Sequence, residues 1–133
     1  MDQLGSILLT EDEALILDAV AESLKDAGFE VATATYGAEA IQMLEAEPDR
    51  YRVLVTDVQL GAGPNGWDVA RRARELVSDM PVVYVTADSG GDWASQGVPN
   101  SVLIHKPFAN AQLVTAVAGL LNDVDAHRMG NSP

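Results

Sequence analysis

The chain has 133 residues, no cysteine, and a formal net charge of −12 from 20 acidic and 8 basic side chains. That length suits one domain with a single core, and the missing cysteines exclude disulfide frameworks and thiolate metal sites. So acidic a surface repels nucleic acid, and any role in transcription would run through another protein.

The predicted elements alternate between β-branched runs and helical stretches. Residues 7–10 form a first strand. Residues 13–27 form a helix, with Leu17, Val20 and Leu24 at helical spacing and Gly28 as its stop. A second strand (29–33) and a helix (38–46) ended by Pro48 follow. The third strand, 52–56, is apolar without alternation, as a strand covered on both faces must be. The third helix covers 67–77, and Asn65 followed by Asp68 predicts a capping box at its start. A fourth strand covers 81–86. The glycine-rich stretch after it leaves room only for a short helix over 92–96. Residues 102–105 make a fifth strand and 109–122 a last helix, with 123–133 expected to be a short flexible tail.

Five strand–helix units in a row predict an α/β fold: a flavodoxin-like, doubly wound three-layer sandwich with parallel sheet order 2-1-3-4-5. No run is long and apolar enough to span a membrane, and no cationic segment precedes an apolar one at the start. A cytoplasmic location is the expectation. Arg71, Arg72 and Arg74 read as a solvated helix face paired with Asp68 and Glu75. Trp67 and Trp93 read as core or loop-packing residues, with a partner contact left open for Trp93. His105 and His127 read as a strand and a tail residue without an acid–base partner.

Two features compete for the functional site. Gly61-Ala62-Gly63-Pro64-Asn65-Gly66 fits G-x-G-x-x-G between a strand and a helix, and Asp88 stands where a dinucleotide fold keeps its ribose acid. Asp57 lies just ahead of it. The predicted topology gathers the strand ends at one edge: Glu11 and Asp12, then Asp57, Thr86, and Lys106. Like charges about 4 Å apart repel by roughly 4 kcal/mol at an effective dielectric near 20, so three carboxylates hold a proton or a cation. Oxygen donors without His or Cys suit Mg²⁺, or Mn²⁺, and leave coordination places for a phosphoryl group. Lys106 and Thr86 suit its remaining oxygens, and Asp57 becomes a nucleophile toward phosphorus.

With Glu11-Asp12, Asp57, Thr86-Ala87 and Lys106-Pro107-Phe108 in this order, the chain resembles the receiver domain of two-component response regulators over almost its full length. The resemblance implies that Asp57 accepts a phosphoryl group from a sensor histidine kinase or a histidine phosphotransfer protein. It implies that Glu11, Asp12, Asp57 and the Val58 carbonyl help to hold Mg²⁺, and that Thr86 and Lys106 contact the phosphoryl group. It also implies a cis Lys106-Pro107 peptide, and that Gln59 and Asp88 tune the lifetime of the acyl phosphate. Such a domain is not an enzyme in the ordinary sense. It catalyses only its own phosphorylation and dephosphorylation, and switches its association with a downstream protein.

The departures from the family pattern are specific. Gly61 replaces the proline of D-x-x-x-P, and Gly66 comes one residue late, so the loop after Asp57 is expected to be longer and looser. Leu103 stands where the family commonly carries the aromatic partner of Thr86 in switching. The initial Met and the short tail favour a stand-alone regulator, with 1–122 as the receiver domain. Two alternatives stay open: a nucleotide- or flavin-binding enzyme using Gly61, Gly63 and Gly66, and a pseudo-receiver that binds its partner regardless of phosphate.

Overall fold

The computed structural model describes residues 6–87 and 91–129, with side chains through Asn122. Five strands, β1 (Ser6–Thr10), β2 (Glu30–Ala34), β3 (Tyr51–Asp57), β4 (Val82–Thr86) and β5 (Val102–His105), form one parallel sheet in the order β2-β1-β3-β4-β5. The helices are α1 (Ala14–Asp26), α2 (Gly37–Ala46), α3 (Gly66–Leu76), α4 (Trp93–Gln96) and α5 (Asn110–Met129). The three-layer, doubly wound prediction holds.

Alternate residues of the central strands feed two separate cores, as a side-chain period of two requires. Leu8, Leu54 and Tyr84 face the layer of α2 and α3 with Leu44, Val69 and Ala73. Ile7, Leu9, Val53, Val55, Val83 and Val85 face the other layer, with Leu17, Val20 and Leu24 of α1 and Leu113 and Val117 of α5. Both faces of β3 and β4 are therefore covered, which explains their unbroken apolar runs.

Helix ends follow local chemistry. At the end of α1, Gly28 takes φ 104°, its N–H bonds the Lys25 carbonyl, and the Phe29 N–H bonds the Leu24 carbonyl. This is a Schellman closure, and it spends Phe29 on the turn, so β2 begins one residue later than predicted. Helix α5 runs on past the expected end at Asn122, to Met129. Asp88 lies outside the described residues.

Candidate functional site

The carboxyl ends of β1, β3, β4 and β5 open on a cavity of about 910 Å³. Its lining includes Asp12, Asp57, Val58, Gln59, Thr86 and Lys106, with Trp67 at one wall. Six of the predicted site residues are thus brought together, and Glu11 joins them through Lys106. The Lys106 ammonium donates to Asp57 Oδ2 at 2.8 Å and to Glu11 Oε1 at 3.0 Å. The other Asp57 oxygen, Oδ1, accepts the Gln59 N–H at 3.1 Å. Glu11 Oε2 accepts the Glu13 N–H at 3.0 Å. Asp57, Glu11 and Thr86 are buried, whereas Asp12 is exposed. The Lys106-Pro107 peptide is cis, as the resemblance implied.

Charge is unevenly balanced here. Ligand oxygens of Glu11, Asp12 and Asp57 lie within 4.8 Å of one another, and Lys106 is the cation in contact with two of those acids. Burial raises the Glu11 carboxyl above its ordinary range, and Asp57 pushes the same way, against the Glu13 N–H and Lys106. For Lys106, burial opposes the charge, but its bonds to Asp57 and Glu11 outweigh it and raise the ammonium pKa. A cluster of oxygen donors with surplus negative charge fits a hard divalent cation such as Mg²⁺.

The Val58 carbonyl accepts the Gly66 N–H at 2.8 Å, while the Val58 N–H bonds the Val85 carbonyl. Val58 therefore holds the sheet and the turn together while lining the cavity, and its carbonyl keeps a second lone pair beyond that bond.

The lengthened loop is also not loose. Leu60 is buried in the α2–α3 core. A Cβ on Gly37, at the start of α2, would overlap the Pro64 carbonyl, so the loop lies flat against that helix. A Cβ on Gly66 would overlap the Asp57 carbonyl oxygen. Gly66 thus allows the close approach that its late position left in doubt. Gly61 and Gly63 take φ 77° and 88°, which makes room for the extra residue. The predicted capping box is present: Asn65 Oδ1 accepts the Asp68 N–H at 3.0 Å, and Asp68 Oδ2 accepts the Asn65 N–H at 3.1 Å.

The remaining predicted residues fall as follows. Leu103 is half-buried on β5 and packs against the α2–α3 core. Arg71 bonds Asp68, and Arg72 bonds Glu45 and Glu75, as an ion-paired helix face requires, whereas half-buried Arg74 donates to the Met80 carbonyl at 2.6 Å. Trp67 is core, whereas Trp93 is 38% exposed with its indole N–H on Ser101 Oγ. His105 ends β5 exposed, and the side chain of His127 lies outside the described residues. Sequence reasoning gave no role to Tyr84, although a lone aromatic among the valines of β4 was the available signal.

A family model for the response regulator receiver domain matches residues 7–118. The chain belongs to the response regulator receiver family. A solved response regulator receiver protein from Sinorhizobium medicae WSM419 is 46% identical, covers 89% of this chain and 94% of its own, and superposes with a TM-score of 0.86. The transcriptional regulatory protein PrrA of Mycobacterium tuberculosis is 32% identical over 86% of this chain and 49% of its own length. The alginate biosynthesis transcriptional regulatory protein AlgB of Pseudomonas putida is 35% identical over 88% of this chain and 26% of its own length. The receiver chain thus spans half or less of these two curated relatives. Another solved receiver, from the sensor histidine kinase PA1611 of Pseudomonas aeruginosa PAO1, is 25% identical, with a TM-score of 0.76 over 89% of this chain and 98% of its own. That receiver carries a magnesium ion in its active-site cleft.

Proposed function

We propose that this receiver accepts a phosphoryl group on Asp57 from a phosphohistidine and changes its protein associations as a result. The observation that carries the reading is the double hold on Asp57, with Lys106 on one oxygen and the Gln59 N–H on the other, inside an open acidic cavity. In the proposed step an Asp57 carboxylate oxygen bonds to phosphorus as the P–N bond of phosphohistidine breaks. The imidazole leaves neutral, its other nitrogen keeping its proton. Little covalent machinery is needed, since positioning and charge neutralisation supply most of the catalysis in such transfers.

Glu11, Asp12 and Asp57 would hold Mg²⁺, which supplies charge neutralisation for the incoming phosphoryl oxygens when bound. Lys106 exchanges its contact with Asp57 Oδ2 for one to a phosphoryl oxygen, and the Thr86 hydroxyl takes another. Gln59 borders the approach of water to the product and so tunes its lifetime. The domain catalyses only its own phosphorylation and dephosphorylation.

The donor is a sensor histidine kinase or a histidine phosphotransfer protein, which fits a cytoplasmic place. None of the described helices is long and apolar enough to cross a membrane. An apolar cleft of about 530 Å³ beside the site, lined by Leu15, Ile16, Ala19 and Phe108 and sharing Lys106, can seat the donor's scaffold while its histidine enters the cavity. The downstream target is a protein. With a net charge of −12 the domain gives DNA little to bind.

Acetyl phosphate with Mg²⁺ should retard the protein on a phosphate-affinity gel. An unshifted band, or a shift retained by Asp57→Asn, would sink the proposal.

A further inference from the structure

Leu103 lacks the ring that receivers commonly carry at this place on β5, yet an aromatic path leaves the cavity one strand away. Trp67 lines the cavity and is 8% exposed. Its indole meets the Tyr84 ring edge-on, with centroids 4.6 Å apart and planes at 60°. Tyr84 is fully buried on β4, opposite Thr56 of β3 on one side and Leu103 of β5 on the other.

The Tyr84 hydroxyl accepts the Val98 N–H at 3.0 Å, in the connection between α4 and β5. The Val98 carbonyl in turn accepts the Ser101 hydroxyl at 2.7 Å, and Ser101 Oγ accepts the Trp93 indole N–H at 3.0 Å. The path therefore starts at the wall of the Asp57 cavity and ends on an indole that solvent can reach. Each link is a ring contact or a single hydrogen bond, and α4 buries no residue of its own. Among the described residues the segment is held by these links and by exposed Arg71, whose guanidinium donates to the Gln96 carbonyl at 3.1 Å and to its side chain at 3.3 Å. A segment held by single polar contacts can take a second arrangement at small cost, as switching elements must.

We propose that Trp67 and Tyr84 relay the state of the Asp57 cavity to Val98 and Trp93, so that β4 carries the aromatic switch that Leu103 on β5 does not. The inference rests on phosphorylation of Asp57. It makes the α4–β5 connection, with Trp93 at its surface, the part that a downstream protein reads. Burial pushes the Tyr84 hydroxyl pKa up, against the Val98 N–H, so the ring stays neutral.

The test treats the full chain with beryllofluoride and Mg²⁺ and follows the Val98 amide by NMR and Trp93 by its emission in a Trp67→Phe background. Both signals should move. Tyr84→Phe should still be phosphorylated at Asp57 by acetyl phosphate, with the Val98 response cut by about twofold or more. Trp67→Leu should cut it similarly, and it decides the matter if Tyr84→Phe does not fold. A Val98 response as large in these variants as in the parent, or absent from a parent that is phosphorylated, overturns the relay alone. Absence of phosphorylation at Asp57 overturns the relay together with the reading it rests on.

Discussion

Two glycine-bearing connections flank Asp57, and they are built to opposite ends. The β3–α3 loop is fastened on either side of its exposed residues 61–63, with Leu60 in the core, Pro64 against Gly37, the Gly66 N–H on Val58, and a complete capping box at Asn65. The segment from Gly91 to Ser101 holds a four-residue helix with no buried residue and reaches the core mainly through Val98. Glycine content alone predicts that both are loose. What separates them is the work the glycines do: on β3–α3 Gly66 permits close backbone contact and Gly61 and Gly63 supply positive φ, while Gly97 meets the ring and the carbonyl of Trp93. On the proposed reading, the first connection fixes the acceptor and the second is left able to respond.

Substitution of the glycines would break this comparison most sharply. Gly66→Ala forces a methyl group onto the Asp57 carbonyl, and it should cost about 1–3 kcal/mol by chemical denaturation while slowing phosphorylation. Gly37→Ala meets the Pro64 carbonyl and should cost a similar amount. Asn65→Ala removes one half of the capping box and should cost about 1 kcal/mol. Gly97→Ala should cost least, about 1 kcal/mol, because its tightest contact is the Trp93 ring, which can swing away, and its one backbone contact, the Trp93 carbonyl oxygen at 2.8 Å, is milder than those at Gly66 and Gly37. Equal losses for Gly66→Ala and Gly97→Ala would show that the two connections are not held differently.

A smaller effect sharpens the same contrast through pH. The Glu11 carboxyl is raised by burial, so between its ordinary and its raised value the folded protein keeps a proton that the unfolded chain has lost. Without metal, stability should therefore fall as pH rises through that window. The Lys106 contribution runs on, complete below the ordinary lysine value and lost only as pH climbs through the raised one. Mg²⁺ held by these acids would take the place of the proton, so it should raise Tm more near about pH 7.5 than near about pH 5. Thermal melts with and without Mg²⁺ check this, and equal shifts at both values would contradict it.

Much of this architecture was legible before any coordinates. The β-branched runs marked the five strands because buried parallel strands need apolar residues on both faces. Gly28 and the Asn65–Asp68 spacing announced helix ends because capping is local chemistry. The acid cluster followed from topology, which collects Glu11, Asp12, Asp57, Thr86 and Lys106 at one edge. What stayed hidden depends on distant backbone. Nothing local to Pro64 reveals that Gly37 waits beneath it, and no pattern shows that Gly66 takes up the Val58 carbonyl. The Tyr84 hydroxyl and the Val98 N–H are 14 residues apart. The extension of α5 past Asn122 was missed because Asp123 to Met129 carry little apolar periodicity.

The central claim is that Asp57 is the acceptor. After treatment with acetyl phosphate and Mg²⁺, borohydride reduction converts an aspartyl phosphate to homoserine, which peptide mass spectrometry locates. The account predicts homoserine at position 57 and at no other acid. Homoserine at Asp12 or at any other aspartate, or at no position after full treatment, would contradict it.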